Sequence, residues 1–295
     1  MSKIQFDMEY HKNFLKENGY TIIHNVYNDS EIAEYWNEFN KWHENVPKLR
    51  DMHNTIDFNG IYKHHQVGHQ RFAWLARTNP KIINIFKELW DTSELVCSFD
   101  GCCYYSRDYI GEPSYWTHTD QSSRKKGLHC YQSFLSLTNN SERTLILYKG
   151  SHLLHEDYFD TMEIDEPRDW NILDKNYVDN LIEDQLYLDV SAGDLVVWDS
   201  RTFHQNTCGT PTCIEERLIQ YLCYLPKNVK ANNKTQSQKR LKYFKERRTT
   251  SHWPYPLNVN SLQPQTYGDE SKLIDYSNLP KPDLNEYLNI IKTII

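Results

Sequence analysis

Three side chains of this 295-residue chain have the types and order needed to hold one metal ion. His118 and Asp120 stand in Tyr115-Trp116-Thr117-His118-Thr119-Asp120, and His204 follows Trp198-Asp199-Ser200-Arg201-Thr202-Phe203. Two imidazoles and a carboxylate can grip one face of a ferrous ion and leave the other face open, the pattern of non-haem Fe(II) oxygenases. The same donors also suit zinc or manganese in a non-oxidative enzyme. Arg217 adds a second function. A guanidinium binds a carboxylate through two parallel hydrogen bonds and stays charged at any working pH. A co-substrate with a free carboxylate, such as 2-oxoglutarate, needs that anchor while its other end chelates the metal. Singly, each residue has an ordinary meaning. His-x-Asp pairs are common on surfaces, a lone histidine is usually a hydrogen-bonded structural group, and Arg217 could pair with Glu215 or Glu216. The combination, in this order and on strand-like runs, carries the signal.

Strands must position these groups. At i and i+2 of an extended strand, His118 and Asp120 point to the same face. The third donor must come from a strand remote in sequence. Gly193-Asp194-Leu195-Val196-Val197-Trp198-Asp199 reads as a turn and a buried strand leading to His204, and Arg217-Leu218-Ile219-Gln220-Tyr221-Leu222-Cys223-Tyr224 as another strand. Other strands are expected at 20–27, 94–105, 128–138 and 186–190. Helices are expected at 7–18, ending at Gly19, from Asp29 or Ser30 through Trp42, from Pro80, near 174–184 and over 239–247. The acidic insertion from about 155 to 185 should cover one end of the strands.

These segments resemble the phytanoyl-CoA dioxygenase-like Fe(II)/2-oxoglutarate oxygenases from about Phe14 to Pro226. Phe14 to Val26 looks like the family's opening helix, Gly-Tyr turn and first strand. Gly127 to Phe134 looks like the strand after the first two ligands. Tyr148-Lys149-Gly150-Ser151-His152 matches a turn that often reads Pro-Gly-Ser-His, and Gly193 to Ser200 matches the segment before the distal ligand. The resemblance implies that His118, Asp120 and His204 bind Fe(II) and that Arg217 binds the 2-oxoglutarate carboxylate. It also implies that Gln132 and Asn206 lie near the co-substrate, and that O2 is consumed. Lys149 replaces the usual proline, and 139–143 lacks a glycine pair often found there. Halogenating relatives replace the metal carboxylate with a small residue; Asp120 is present, so hydroxylation is expected. The implied fold is a double-stranded β-helix, a cupin-like jelly-roll barrel flanked by helices, mainly β within an α+β chain.

Composition sets the outer bounds. The length suits one dioxygenase domain over 1–295, with a helical part at 1–93, a barrel core at about 94–226 and an extension at 227–295. The formal net charge of −7 argues against a nucleic-acid partner. The basic run from Lys227 to Arg248 reads as a solvated helix face. Seven cysteines without a paired Cys-x-x-Cys suit free thiols. No apolar signal core and no membrane-length run is present, so a cytoplasmic protein is expected. His64, His65 and His69 cluster without a carboxylate at suitable spacing, and His64 to Arg77 reads as a wall near the substrate. The expected partner is a small-molecule or acyl substrate of unspecified identity. A barrel that has lost turnover and only binds remains the third reading beside the oxidative and non-oxidative enzymes.

Overall fold

In the computed structural model, which describes residues 6–46 and 59–295, the first helix ends where the sequence places its stop. In α1 (Met8–Asn18) the Asp7 carboxylate accepts from the Tyr10 N–H, and Gly19 follows at φ 81°, its N–H bonded to the Leu15 carbonyl. That left-handed turn feeds β1 (Tyr20–Ile23). The strand is shorter than the expected 20–27. Asn25 adopts φ 56° and gives its N–H to the Asp194 carboxylate, which breaks the extended run.

The described residues form two compact units: the chain up to Asn25 with Tyr105–Arg217, and Val26–Tyr104 with Leu218–Ile295. In the first unit, β1 pairs antiparallel with β10 (Leu195–Asp199), which pairs antiparallel with β6 (Tyr131–Ser136). A second antiparallel sheet runs in the order β8 (Asn171–Ile172), β5 (His118–Thr119), β11 (His204–Asn206), β7 (Leu145–Tyr148), β9 (Gln185–Tyr187). The two sheets supply the antiparallel strands that a jelly roll requires. The 155–185 insertion contributes α5 (His155–Thr161), β8 and α6 (Lys175–Asp179), shorter than the helix expected at 174–184. Its Tyr158, Phe159, Leu173 and Val178 pack with Tyr148 and Phe203 in one apolar cluster.

Phe203 precedes His204, so the turn that fixes Phe203 also fixes the histidine. Gly150 takes φ 76° and gives its N–H to the Asn18 carbonyl. The Ser151 hydroxyl donates to the Tyr148 carbonyl and accepts from the Phe203 N–H. Lys149, where the resemblance leads one to expect proline, uses its own N–H to reach the Asp184 carbonyl. A proline there would lose that bond.

A second set of bonds fixes the approach to Arg217. Arg143, fully buried, donates to the carbonyls of Ser106, Tyr109, Cys208, Cys213 and Glu215. The Glu215 carboxylate in turn accepts the successive N–H groups of Ser141, Glu142 and Arg143 at 2.9–3.2 Å. Burial alone would raise the Glu215 pKa. The N–H bonds of Arg143, Glu142 and Ser141, with the Asn140 amide, outweigh it and hold the pKa below the ordinary 4.5. A lowered folded-state pKa means stabilisation that is full above the unfolded value and lost as pH falls through the folded one. Glu215→Gln should therefore cost about 1 kcal/mol at neutral pH, after allowing for solvent screening. The gap between variant and wild type should begin to narrow as pH falls below the ordinary 4.5 and vanish once pH has passed the lower folded-state value. Denaturant unfolding of both proteins across this range checks it, and a gap independent of pH would refute the role.

In the second unit, α2 (Asp29–Asn45) starts with a capping box. Asn28 accepts from the Glu31 N–H and Glu31 accepts from the Asn28 N–H, so the cap is Asn28 rather than Asp29 or Ser30. α3 (Arg71–Arg77) and α4 (Pro80–Leu89) follow, the latter with Pro80 in its first turn. The strand expected at 94–105 is two strands, β3 (Leu95–Cys97) and β4 (Cys102–Tyr105). The break holds Gly101, where an added Cβ would collide with the Tyr62 carbonyl. β12 (Arg217–Pro226) pairs with β3 and β4, and β4 with β2 (Ile61–Tyr62). α7 (Lys234–Lys245) and α8 (Leu288–Ile294) complete the unit. All seven cysteines are buried free thiols. Among the described residues, no helix is long and apolar enough to cross a membrane.

Candidate metal centre

Register brings the first three residues together. His204 on β11 lies directly opposite His118 on β5, and directly opposed residues of an antiparallel pair share a face. Asp120, two residues past His118, continues on that face. Its Oδ2 lies 3.5 Å from His118 Nε2 and 3.3 Å from His204 Nε2. One donor atom from each of the three residues lies within 4.8 Å of the others. Two ligand atoms about 2.1 Å from one metal at right angles stand about 3 Å apart, so the spacing suits a shared ion. Among the described residues no other three of His, Cys, Asp and Glu converge in this way.

The backbone sets which nitrogen faces the centre. His118 Nδ1–H donates to the Trp116 carbonyl at 3.0 Å, and His204 Nδ1–H to the Thr202 carbonyl at 2.8 Å. Both Nε2 atoms are thereby left as lone-pair donors toward Asp120, the arrangement that orients metal-binding histidines. Burial, with His118 beside it, lowers the His204 pKa from 6.5 against the opposing pull of Asp120. His204 is thus held neutral, the form that binds a metal. The Asp120 N–H and the Thr119 hydroxyl both bond the Ser200 carbonyl, tying the first ligand strand to the turn before His204. All three donors are buried. A cluster of two imidazoles and one carboxylate, dry and oriented, fits Fe(II) as a donor set.

Gln132 and Asn206 occupy distinct places. Gln132 Nε2 donates to Asp120 Oδ2 at 3.1 Å, so it holds the carboxylate. Asn206, two residues past His204, accepts from the Arg217 guanidinium at 2.8 Å. That guanidinium is buried and lies over the Phe134 ring, its carbon 5.6 Å from the centroid. Phe134 is two residues past Gln132. On both β6 and β11, then, one residue serves the triad and the next on the same face serves Arg217. One such step is about 7 Å along a strand, a gap that a short dicarboxylate bridges.

Rings enclose the donors in ways the motif reading missed. Trp116 stacks on His118 with centroids 4.9 Å apart, Trp198 lies 5.4 Å from His204, and Trp170 lies 5.7 Å from His118. The Trp116 indole N–H donates to the Asn206 carbonyl. Trp116 was findable, since it stands two residues before His118. His152 and His155 are structural: their Nε2–H groups donate to the Lys16 and Gln121 carbonyls. His64, His65 and His69 belong to the second unit and are buried or partly buried there.

Known proteins share this arrangement of strands. The chain is 32% identical over 204 residues to the Ava biosynthesis cluster protein O of Aspergillus versicolor, covering 63% of this chain and 65% of that protein. It spans less than two thirds of that relative. Among solved structures, the non-haem α-ketoglutarate-dependent carbocyclase SnoK of nogalamycin biosynthesis aligns with TM-score 0.54 and 17% identity, over 74% of this chain and 84% of SnoK. The epimerase SnoN, in complex with Fe3+, α-ketoglutarate and nogalamycin RO, aligns with TM-score 0.53 and 18% identity, over 74% and 83%. These structural likenesses establish the fold, a jelly roll of antiparallel sheets with flanking helices. Residues 15–207, which include the three donors, Gln132 and Asn206, match the phytanoyl-CoA dioxygenase family, a family of Fe(II)/2-oxoglutarate-dependent oxygenases. A match over well more than half of the chain settles kinship: the chain belongs to the phytanoyl-CoA dioxygenase family.

Proposed function

We propose that this protein is an Fe(II)- and 2-oxoglutarate-dependent dioxygenase that hydroxylates a C–H bond of a small molecule. The observation that carries it is the convergence of His118 Nε2, His204 Nε2 and Asp120 Oδ2, with both Nδ1–H groups already committed to carbonyls. With bound Fe(II) and 2-oxoglutarate the site gains the means to activate O2 and oxidise C–H, with succinate and CO2 as by-products. His118, Asp120 and His204 hold the metal. Arg217 receives the distal carboxylate of 2-oxoglutarate, and Asn206 fixes the guanidinium from one side. Gln132 keeps Asp120 turned toward the imidazoles. The buried walls exclude water from the reacting atoms. Asp120 occupies the position that a halogenating enzyme would leave empty, which supports hydroxylation. The relative named for a biosynthesis cluster supports a small-molecule substrate.

Anaerobic addition of Fe(II) and then 2-oxoglutarate to metal-free protein should produce the visible charge-transfer band of the chelate. Admitting O2 should then release succinate. Tight zinc or manganese binding with no band would favour a non-oxidative enzyme, and no metal binding would leave a binding barrel.

A further inference from the structure

The sheet that carries the ligands has an unusual edge. Its outer strand β8 pairs with β5, placing Ile172 directly opposite His118, which in turn lies opposite His204. Opposed residues share a face, so Ile172, His118 and His204 form one row on the metal-facing side. Trp170, two residues before Ile172, falls on that face by alternation. Its ring contact with His118, at 5.7 Å and a 45° tilt, confirms the placement. Exposure changes abruptly along the row. His118 and His204 are 5% and 4% exposed, whereas Ile172 is 52% and Trp170 51% exposed. Edge strands are normally blunted by charge. Here the edge beside a buried donor set presents an indole and a branched aliphatic group instead, apolar area whose burial is favourable once a ligand arrives.

Charge narrows what that ligand is. Between 155 and 185 the chain has eleven acidic residues and two basic ones. Neighbouring cations are taken. Arg124 pairs with Asp165, Lys125 with Asp169, Lys126 with Glu156, Arg168 with Glu166 and Arg201 with Asp199. A polyanion such as the phosphorylated carrier of an acyl-CoA would meet a negative field here.

We propose that Trp170, with Ile172 beside it and Trp116 behind His118, seats the body of the substrate, and that this body is a neutral, flat, aromatic or conjugated group rather than an acyl-CoA. This rests on the proposed metal centre at His118, Asp120 and His204 and names the substrate class of that site. Trp170 is a specificity-determining residue that holds the substrate and leaves the metal untouched.

The test uses 1-aminoanthracene, an uncharged fluorescent probe, titrated into protein loaded with Zn(II) and 2-oxoglutarate at neutral pH. Wild type should bind it with a rise in fluorescence. Trp170→Ala and Trp170→Leu should weaken binding by about tenfold or more, and Trp170→Phe should stay within about threefold, because the flat ring is what counts. Decanoyl-CoA should not displace the probe. Equal binding by Trp170→Leu and wild type, no binding by wild type, or ready displacement by decanoyl-CoA would each overturn the proposal. The anaerobic Fe(II)/2-oxoglutarate band is read separately in wild type and Trp170→Leu. A band in both, with probe binding indifferent to Trp170, sinks the substrate class and spares the metal centre. No band in wild type, with probe binding still dependent on Trp170, sinks the metal centre and spares the ring-binding edge.

Discussion

In a His204→Ala protein, Fe(II) affinity is expected to fall by more than about 100-fold and O2-dependent succinate release to drop to background. Outer partners of metal ligands already change affinity by about 10- to 100-fold, and His204 is one of the three donors of the proposed centre. Its loss leaves His118 and Asp120, 3.5 Å apart, as two donors with no third. Misfolding is separable from ligand loss. His204→Gln keeps a polar side chain of similar reach, and Gln205 and Asn206 still carry the pairing of β11 with β7. Both variants should unfold near the metal-free wild type. Adding Fe(II) should stabilise wild type by mass action and leave both variants unmoved. Competition against a chelating dye gives the affinity directly. A folded His204→Ala protein that binds Fe(II) as tightly as wild type and releases succinate would remove His204 from the centre.

How much of this site was legible from residues alone depended on how locally each part is encoded. His118 and Asp120 are two apart, so strand alternation sufficed to put them on one face. His204 and Arg217 could be placed as candidates because each adjoins a buried strand, β10 or β12, whose Val, Ile, Leu and aromatic content is plain. What Gln132 and Asn206 do was hidden. Gln132 reaches Asp120 and Asn206 reaches Arg217 only through strand register, which no single segment specifies. β8 was hidden more deeply. Two residues are too few to show alternation, and an acidic insertion gives no apolar stripe to read. Nothing in that run ties Trp170 to His118. In the second unit, α7 begins at Lys234 and ends at Lys245, against an expected 239–247. Only Arg240 is buried along it, so no apolar face marks its course, and its Asn233 cap lies within a polar run. The start of α2 reads as capped by Asp29 or Ser30; the cap is one residue earlier, because Asn28 and Glu31 exchange reciprocal bonds that no single side chain announces.

Arg217→Met is expected to raise the 2-oxoglutarate concentration needed for half-maximal turnover by about 10- to 100-fold, the range for losing hydrogen bonds to a charged partner. Methionine fills most of the volume of a side chain that is 1% exposed, which limits the cavity that alanine would leave. Fe(II) binding should stay within about threefold, because Arg217 bonds Asn206 and lies over Phe134, whereas the donors are oriented by Trp116, Thr202 and Gln132. Arg217→Lys keeps the charge but loses the planar fork that the Asn206 side-chain oxygen and a carboxylate would share, so it should fall between wild type and Arg217→Met. A purely structural Arg217 would behave differently: both variants would lower thermal stability and turnover together, with the 2-oxoglutarate requirement unchanged. Saturating 2-oxoglutarate discriminates the two cases. An anchor makes its loss recoverable at high co-substrate, since the chelating end still finds the metal. Turnover that stays low at saturation, with an unaltered half-maximal concentration, would take Arg217 out of co-substrate binding and leave the triad without its second mark of a 2-oxoglutarate enzyme.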